Sequence, residues 1–250
     1  MDKKEVGKKV GEAEIKGQKV EVHETTLPGM DKPIFYLVKN GYSKDLSKED
    51  HEGIQALMQS WKKNFGSEVG TPNPAEDYKD NCHFVTFKKS GVQGLPSHAW
   101  LARLSPKENV QKYNEHYGDP VLLILNQFFE EQKGDIIIPA NQGMPPKVFS
   151  TAIQTELKKQ LTEEPDLLEA GDVAVFWIKS PDTGLDDAFH SGVIEKVNGE
   201  LHLISKLGEL PTAPLPLWYV LWFYLESGKL PDMKIKMYKK KPAQGASELK

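Results

Sequence analysis

Side chains able to carry covalent chemistry are few in this chain. There is one cysteine, Cys82, and there are seven histidines: His23, His51, His83, His98, His116, His190 and His202. Cys82 stands in Asp80-Asn-Cys-His-Phe-Val-Thr-Phe-Lys-Lys-Ser-Gly91, where a polar pair introduces a short amphipathic run closed by Ser-Gly. Read as a helix, the run puts Cys82 in the first turn, where the positive end of the dipole favours thiolate over thiol. A lone Cys with a distant His is the outline of a nucleophile and its base. The competing reading is a buried inert thiol, the commoner state of a free Cys.

The candidate base is His190. Before it, Val173, Val175 and Trp177 alternate with Ala174, Phe176 and Ile178, an apolar run without helical period that reads as a buried strand opened by the Gly171-Asp172 turn. After a polar loop, a second strand begins with His190 and runs to Asn198-Gly199, a strong hairpin signal because a type I′ turn needs positive φ at both central residues. Three antiparallel strands therefore follow one another, with His190 at the mouth of the second. Asp186 and Asp187 read as loop carboxylates that would raise the imidazole pKa through charge. His83, beside the cysteine, is expected on another face of the helix, with substrate contact as its functional reading.

The order Asn81-Cys82 at a helix start, Leu168-x-x-Gly171-Asp172-x-x-x-Phe176, then His190-x-Gly192-Val193 opening a strand resembles the NlpC-type branch of the papain-like cysteine hydrolases. The resemblance covers roughly residues 76–226 and implies an α+β fold, a nucleophile-bearing helix packed on a small antiparallel sheet. It further implies that a third polar residue on the strand after the histidine orients the imidazole. The implied chemistry is amide cleavage through a Cys–His thioester, by a peptidase, amidase or deamidase, with a peptide or amide substrate, a protein or peptidoglycan among them. An acyltransferase using the same dyad and a catalytically inactive binding module on the same scaffold are the alternatives. The span from Cys82 to Gly171 exceeds the family's usual one and implies an insertion of mostly helical character.

Two residues compete for the third position. His202 lies twelve places after His190, the spacing the family often uses. A two-residue turn, however, pairs Val197 with Glu200, sets Gly192 opposite Ser205 and turns His202 to the other face, so the tight turn favours Ser205 and a one-residue bulge would favour His202. Lys206 shares the His202 face and reads as a solvated charge.

The rest of the chain supplies the positioning elements. Residues 1–70 read as an N-terminal extension: a marginal hairpin around Gly17-Gln18, a strand at Pro33–Val38 and, from a capping-box-like Ser47, a helix with Ile54, Leu57, Met58 and Trp61 on one face. The run Gly70-Thr-Pro-Asn-Pro74 marks the junction with a catalytic domain over 71–232. Within that domain, Ser105-Pro106 and Asp119-Pro120 look like N-caps followed by proline at the first helical position; the helices run to about Tyr117 and from Val121 to about Gln132. A short strand at Gly134–Pro139 and an amphipathic helix over Phe149–Leu161 follow. Pro211–Pro216 reads as a turn, the aromatic run Leu217–Leu225 as a central strand, and 233–250 as a basic flexible tail.

Composition narrows the function classes. With a net charge of −4 in 250 residues, nothing draws the chain toward nucleic acid as a whole. The histidines and cysteine show neither His-x-x-x-His nor Cys-x-x-Cys, and no phosphate-binding glycine pattern appears, so neither a metal nor a cofactor is expected. One cysteine excludes an internal disulfide framework, and the first thirty residues hold no apolar leader, so the expected compartment is the cytoplasm. No stretch approaches the roughly eighteen apolar residues of a membrane span.

Overall fold

The structure, a computed structural model, describes residues 7–15, 18–38, 48–66, 80–96, 99–101, 111–180, 184–208 and 210–242. It is α+β, with two antiparallel sheets. The small sheet is β1 (Lys8–Ile15), β2 (Gln18–Thr25) and β3 (Ile34–Val38), in that order. The large sheet has the order β4-β9-β5-β6-β7-β8, built from β4 (Phe129–Ile138), β5 (Val173–Lys179), β6 (Asp186–Val197), β7 (Glu200–Lys206), β8 (Thr212–Pro216) and β9 (Met233–Lys240). The helices are α1 (Lys48–Phe65), α2 (Cys82–Lys89), α3 (Gln111–Tyr117), α4 (Pro120–Phe128), α5 (Pro146–Glu163) and α6 (Leu217–Leu225).

Strand β5 divides the interior. Ala174, Phe176 and Ile178 face a core closed by α5, α6 and Trp61 of α1. Val173, Val175 and Trp177 face the opposite core, with Phe84 and Phe87 of α2, Ile124 of α4 and Ile34 and Tyr36 of β3. Alternating side chains of one strand thus fill two cores, which is why the run is apolar at every position.

Described residues among the first seventy, read above as an extension, belong to both cores. Trp61 is buried and its Nε1–H donates to the Tyr219 hydroxyl at 3.1 Å, while Ile34, Tyr36 and Leu27 are sealed against α2 and α4. The N-terminal hairpin forms as expected, with Ile15 opposite Gln18. The expected caps at Ser47 and Ser105 and the junction at 70–74 lie outside the described residues, although the helix ending at Tyr117 is present.

Four expectations about regular structure are corrected. Leu217–Leu225 is a helix rather than a strand: all nine positions are apolar or aromatic, so no polar residue reveals the period, yet the buried set is Leu217, Val220, Leu221 and Leu225 at helical spacing. Each fully buried leucine there contributes roughly 1.5–3 kcal/mol. Pro211–Pro216 is not simply a turn, because Thr212–Pro216 forms the edge strand β8, a position where proline's missing N–H is tolerated.

The helix expected to reach Gln132 stops at Phe128, and Phe129 already begins β4. The basic segment from Met233, expected to be a flexible tail, is the strand between β4 and β5 as far as Lys240. Met233, Ile235 and Met237 are fully buried, and the intervening lysines meet an acidic β4: Lys234 pairs with Asp135 at 3.3 Å and Lys236 with Glu131 at 2.7 Å. Opposite charges across a strand pair contribute about 0.2–1 kcal/mol each, so burial of the apolar face supplies most of the stabilisation and the charges select the neighbour.

Candidate active site

Asn81 caps α2 and presents Cys82 in the first turn. Its Oδ1 accepts the Phe84 N–H at 3.0 Å and the Leu101 N–H at 3.3 Å, and its Nδ2 donates to the Leu101 carbonyl. One side chain therefore satisfies a helix end and ties it to a neighbouring segment. Gly171, at φ 97°, opens β5 as the Gly-Asp signal indicates, and its left-handed conformation explains why glycine stands there.

The turn at Asn198 (φ 53°) and Gly199 (φ 87°) has the positive dihedrals expected, and Val197 pairs with Glu200. Read outward from that turn, the β6–β7 ladder ends at Val193–Ile204, one step before Gly192 would face Ser205. Beyond this point β6 continues on β5 and β7 on β8.

His190 lies within β6 rather than at its mouth, because the strand starts at Asp186. The pairing shifts between Phe176–His190 and Trp177–Ala188, leaving Phe189 as an extra residue. The bulge places His190 on the α6 face, with ring centroids 5.3 Å from Phe176 and 4.9 Å from Tyr224. The Tyr224 hydroxyl hydrogen-bonds His190 Nδ1 at 3.2 Å. The other ring nitrogen, Nε2, is buried with no hydrogen-bond partner among the described residues.

Cys82 is partly exposed and meets the backbone of Ser191, the residue after His190. No hydrogen bond joins its thiol to His190, so the structure brings the two into one neighbourhood without the expected direct contact. The expected low thiol pKa is corrected as well. Burial pushes the Cys82 thiol up to about 11, against smaller opposing effects of backbone groups and of Lys206. A helix-end charge is worth ~0.3–1 kcal/mol and loses to a desolvation effect of ~2–3 kcal/mol. Burial likewise takes the His190 imidazole down to about 3, helped by His83, so its shift is opposite to the rise expected from Asp186 and Asp187. The Tyr224 hydroxyl is held well above the usual tyrosine range, first by burial and then by the charge of Cys82.

Among the described residues neither Ser205 nor His202 hydrogen-bonds His190. Ser205 is fully buried on the same face as His190, as the register predicts, but its hydroxyl has no partner among them. His202 faces the other way, opposite Glu195, with Nδ1 3.4 Å from the Glu200 carbonyl and Nε2 unpartnered. The residue that hydrogen-bonds the imidazole is Tyr224, which the strand expected over Leu217–Leu225 gives no reason to place there. A helical reading of Leu217–Leu225 would have set Leu217, Leu221 and Tyr224 on adjoining positions of one face.

Lys206, expected in solvent, is buried, and its ammonium donates to the Leu210 carbonyl at 3.0 Å. His83 is buried too and bridges to β6 instead of lining a groove: Nδ1 lies 2.9 Å from Ser191 Oγ and Nε2 2.9 Å from the Ala188 carbonyl. Among the described residues no group of three His, Cys, Asp or Glu side chains is arranged to hold a metal ion, and no helix is long and apolar enough to cross a membrane.

Comparisons with protein-family models, with curated proteins and with solved structures return no match to this chain.

Proposed function

We propose that the chain is a cysteine-dependent acyl hydrolase of papain-like, NlpC-type architecture, in which Cys82 is the nucleophile and His190 the base. The observation that carries this reading is the state of His190: one nitrogen is held by Tyr224, the other is buried without a hydrogen-bond partner among the described residues, and the next residue, Ser191, meets Cys82 through its backbone. A buried ring nitrogen left unsatisfied costs about 1–3 kcal/mol, which a thiol or a substrate proton would relieve. Tyr224 then fills the orienting role in the nucleophile–base–orienter arrangement.

In this scheme Nε2 acts as base in the tautomer whose Nδ1–H donates to the Tyr224 oxygen. It takes the thiol proton as the sulfur attacks the carbonyl carbon of an amide, and the Cys82 N–H at the helix start faces the developing oxyanion. The imidazolium gives its proton to the departing amine, leaving a thioester. Water, deprotonated by the same nitrogen, releases the acid and restores the thiol. The substrate class is a peptide or other amide; an amine or alcohol in place of water makes the same site an acyltransferase.

A second reading, an inactive binding module on this scaffold, is favoured by one observation: with thiol and imidazole apart, burial raises the first and lowers the second, so both stay neutral. Contact with an imidazolium reverses the sign for the thiol. The pH dependence of Cys82 alkylation by iodoacetamide separates the two. The hydrolase reading expects an inflection below about 8.5, lost in His190→Ala. An inflection near 11 that His190→Ala leaves in place overturns it and establishes the inactive module.

A further inference from the structure

We propose that His83 is a positioning residue of this site: its ring clamps the first turn of α2 to β6 and thereby sets the distance and angle between Cys82 and His190. The inference rests on the reading of Cys82 and His190 given above. His83 directly follows the nucleophile in sequence, and both atoms it touches on β6 flank the base, Ser191 on one side and Ala188 on the other. The carbonyl of Ala188 can only accept, so Nε2 carries the ring proton and Nδ1 is left as an acceptor facing the Ser191 hydroxyl.

The clamp extends further. Ser191 Oγ also lies 3.0 Å from Thr86 Oγ1, its single proton serving either Thr86 or His83 Nδ1 at a time, and Thr86 Oγ1 donates to the Cys82 carbonyl at 2.8 Å, so a circuit of polar contacts runs from the residue after the base back to the nucleophile's own peptide group. All three side chains are buried. The circuit spans the bulge at Phe189, the one place where the register of β6 on β5 shifts. A bulge re-aims side chains, and a fixed strut across it decides where His190 points. The strut is made by a ring that is uncharged near neutral pH, since burial takes the His83 pKa down to about 4.

The test uses the full chain and three variants. His83→Leu keeps apolar bulk without hydrogen bonds, His83→Gln keeps a donor and an acceptor in one side chain, and Ser191→Ala cuts the circuit without touching α2. Cys82 alkylation by iodoacetamide is followed against pH, together with amide hydrogen exchange in the first turn of α2. His83→Leu is expected to lower the neutral-pH rate about tenfold and move the inflection upward, as mispositioned reacting groups do, with His83→Gln recovering most of the loss and Ser191→Ala lying between. Lower melting temperatures with rate and inflection within about twofold of the parent would show a packing role only and overturn the proposal. If His83→Leu does not fold, Ser191→Ala carries the same test. Should the parent inflection prove indifferent to His190, the hydrolase reading fails on its own; the exchange data then still decide whether the clamp exists, and unchanged protection in the variants overturns it.

Discussion

Each face of the large sheet buries a histidine near the same point of β6, and the two rings are housed in opposite ways. On the α2 face both nitrogens of His83 have partners at 2.9 Å, and the Ser191 hydroxyl beside it continues to Thr86. On the α6 face the one hydrogen-bond partner of His190 among the described residues is Tyr224 at 3.2 Å, and the equally buried Ser205 hydroxyl has none among them. Satisfied polar groups stiffen a core; unsatisfied ones are costly unless something else requires them. The contrast separates a ring that ties α2 to β6 from a ring with one buried nitrogen unsatisfied among the described residues, although in sequence both are simply histidines beside small or apolar residues.

The largest expected effect is common to both rings. Each binds its proton more weakly than in the unfolded chain, at about 4 for His83 and about 3 for His190 against an ordinary 6.5. The unfolded state therefore takes up more protons between those values, and stability is full above about pH 6.5 and falls as pH drops toward 4 and then 3. Urea unfolding followed against pH should show a loss of roughly 8 kcal/mol across that range, and His83→Gln should remove about half of the part lying above pH 4, His190 supplying the rest. A flat profile from pH 6.5 to 4 would contradict the burial of both rings.

Next in size is Tyr224→Phe, which leaves His190 Nδ1 without its hydroxyl. Stability should fall by about 1–2 kcal/mol, and the dependence of Cys82 alkylation on His190 should weaken; an unchanged profile would remove Tyr224 from the orienting role. Smallest is Ser205→Ala, expected within about 0.5 kcal/mol of the parent because no hydrogen bond is lost with the hydroxyl. A loss above about 1 kcal/mol, seen in the denaturation midpoint, would mean that Ser205 has a partner after all and would reopen its claim on the imidazole.

What the sequence determined by itself is local. Asn81 before Cys82 specifies a capped helix start, Gly171-Asp172 a strand opening, and Asn198-Gly199 a tight turn that carries Val197–Glu200 and the facing of Ser205 and His202 with it, because caps and turns are decided by dihedrals and hydrogen bonds within a few residues. What only the tertiary structure decided is where those elements meet. Leu217–Leu225 is uniformly apolar, so its period emerges only once α5 and the sheet choose which side to bury, and Tyr224 reaches His190 only as a consequence. The lysine-rich β9 becomes an inner strand because acidic β4 and apolar β5, far away in the chain, enclose it. The chemical state of Cys82 follows the same rule: the helix start that favours a thiolate is a local property, the surroundings that oppose it are assembled from distant segments, and desolvation is the larger of the two.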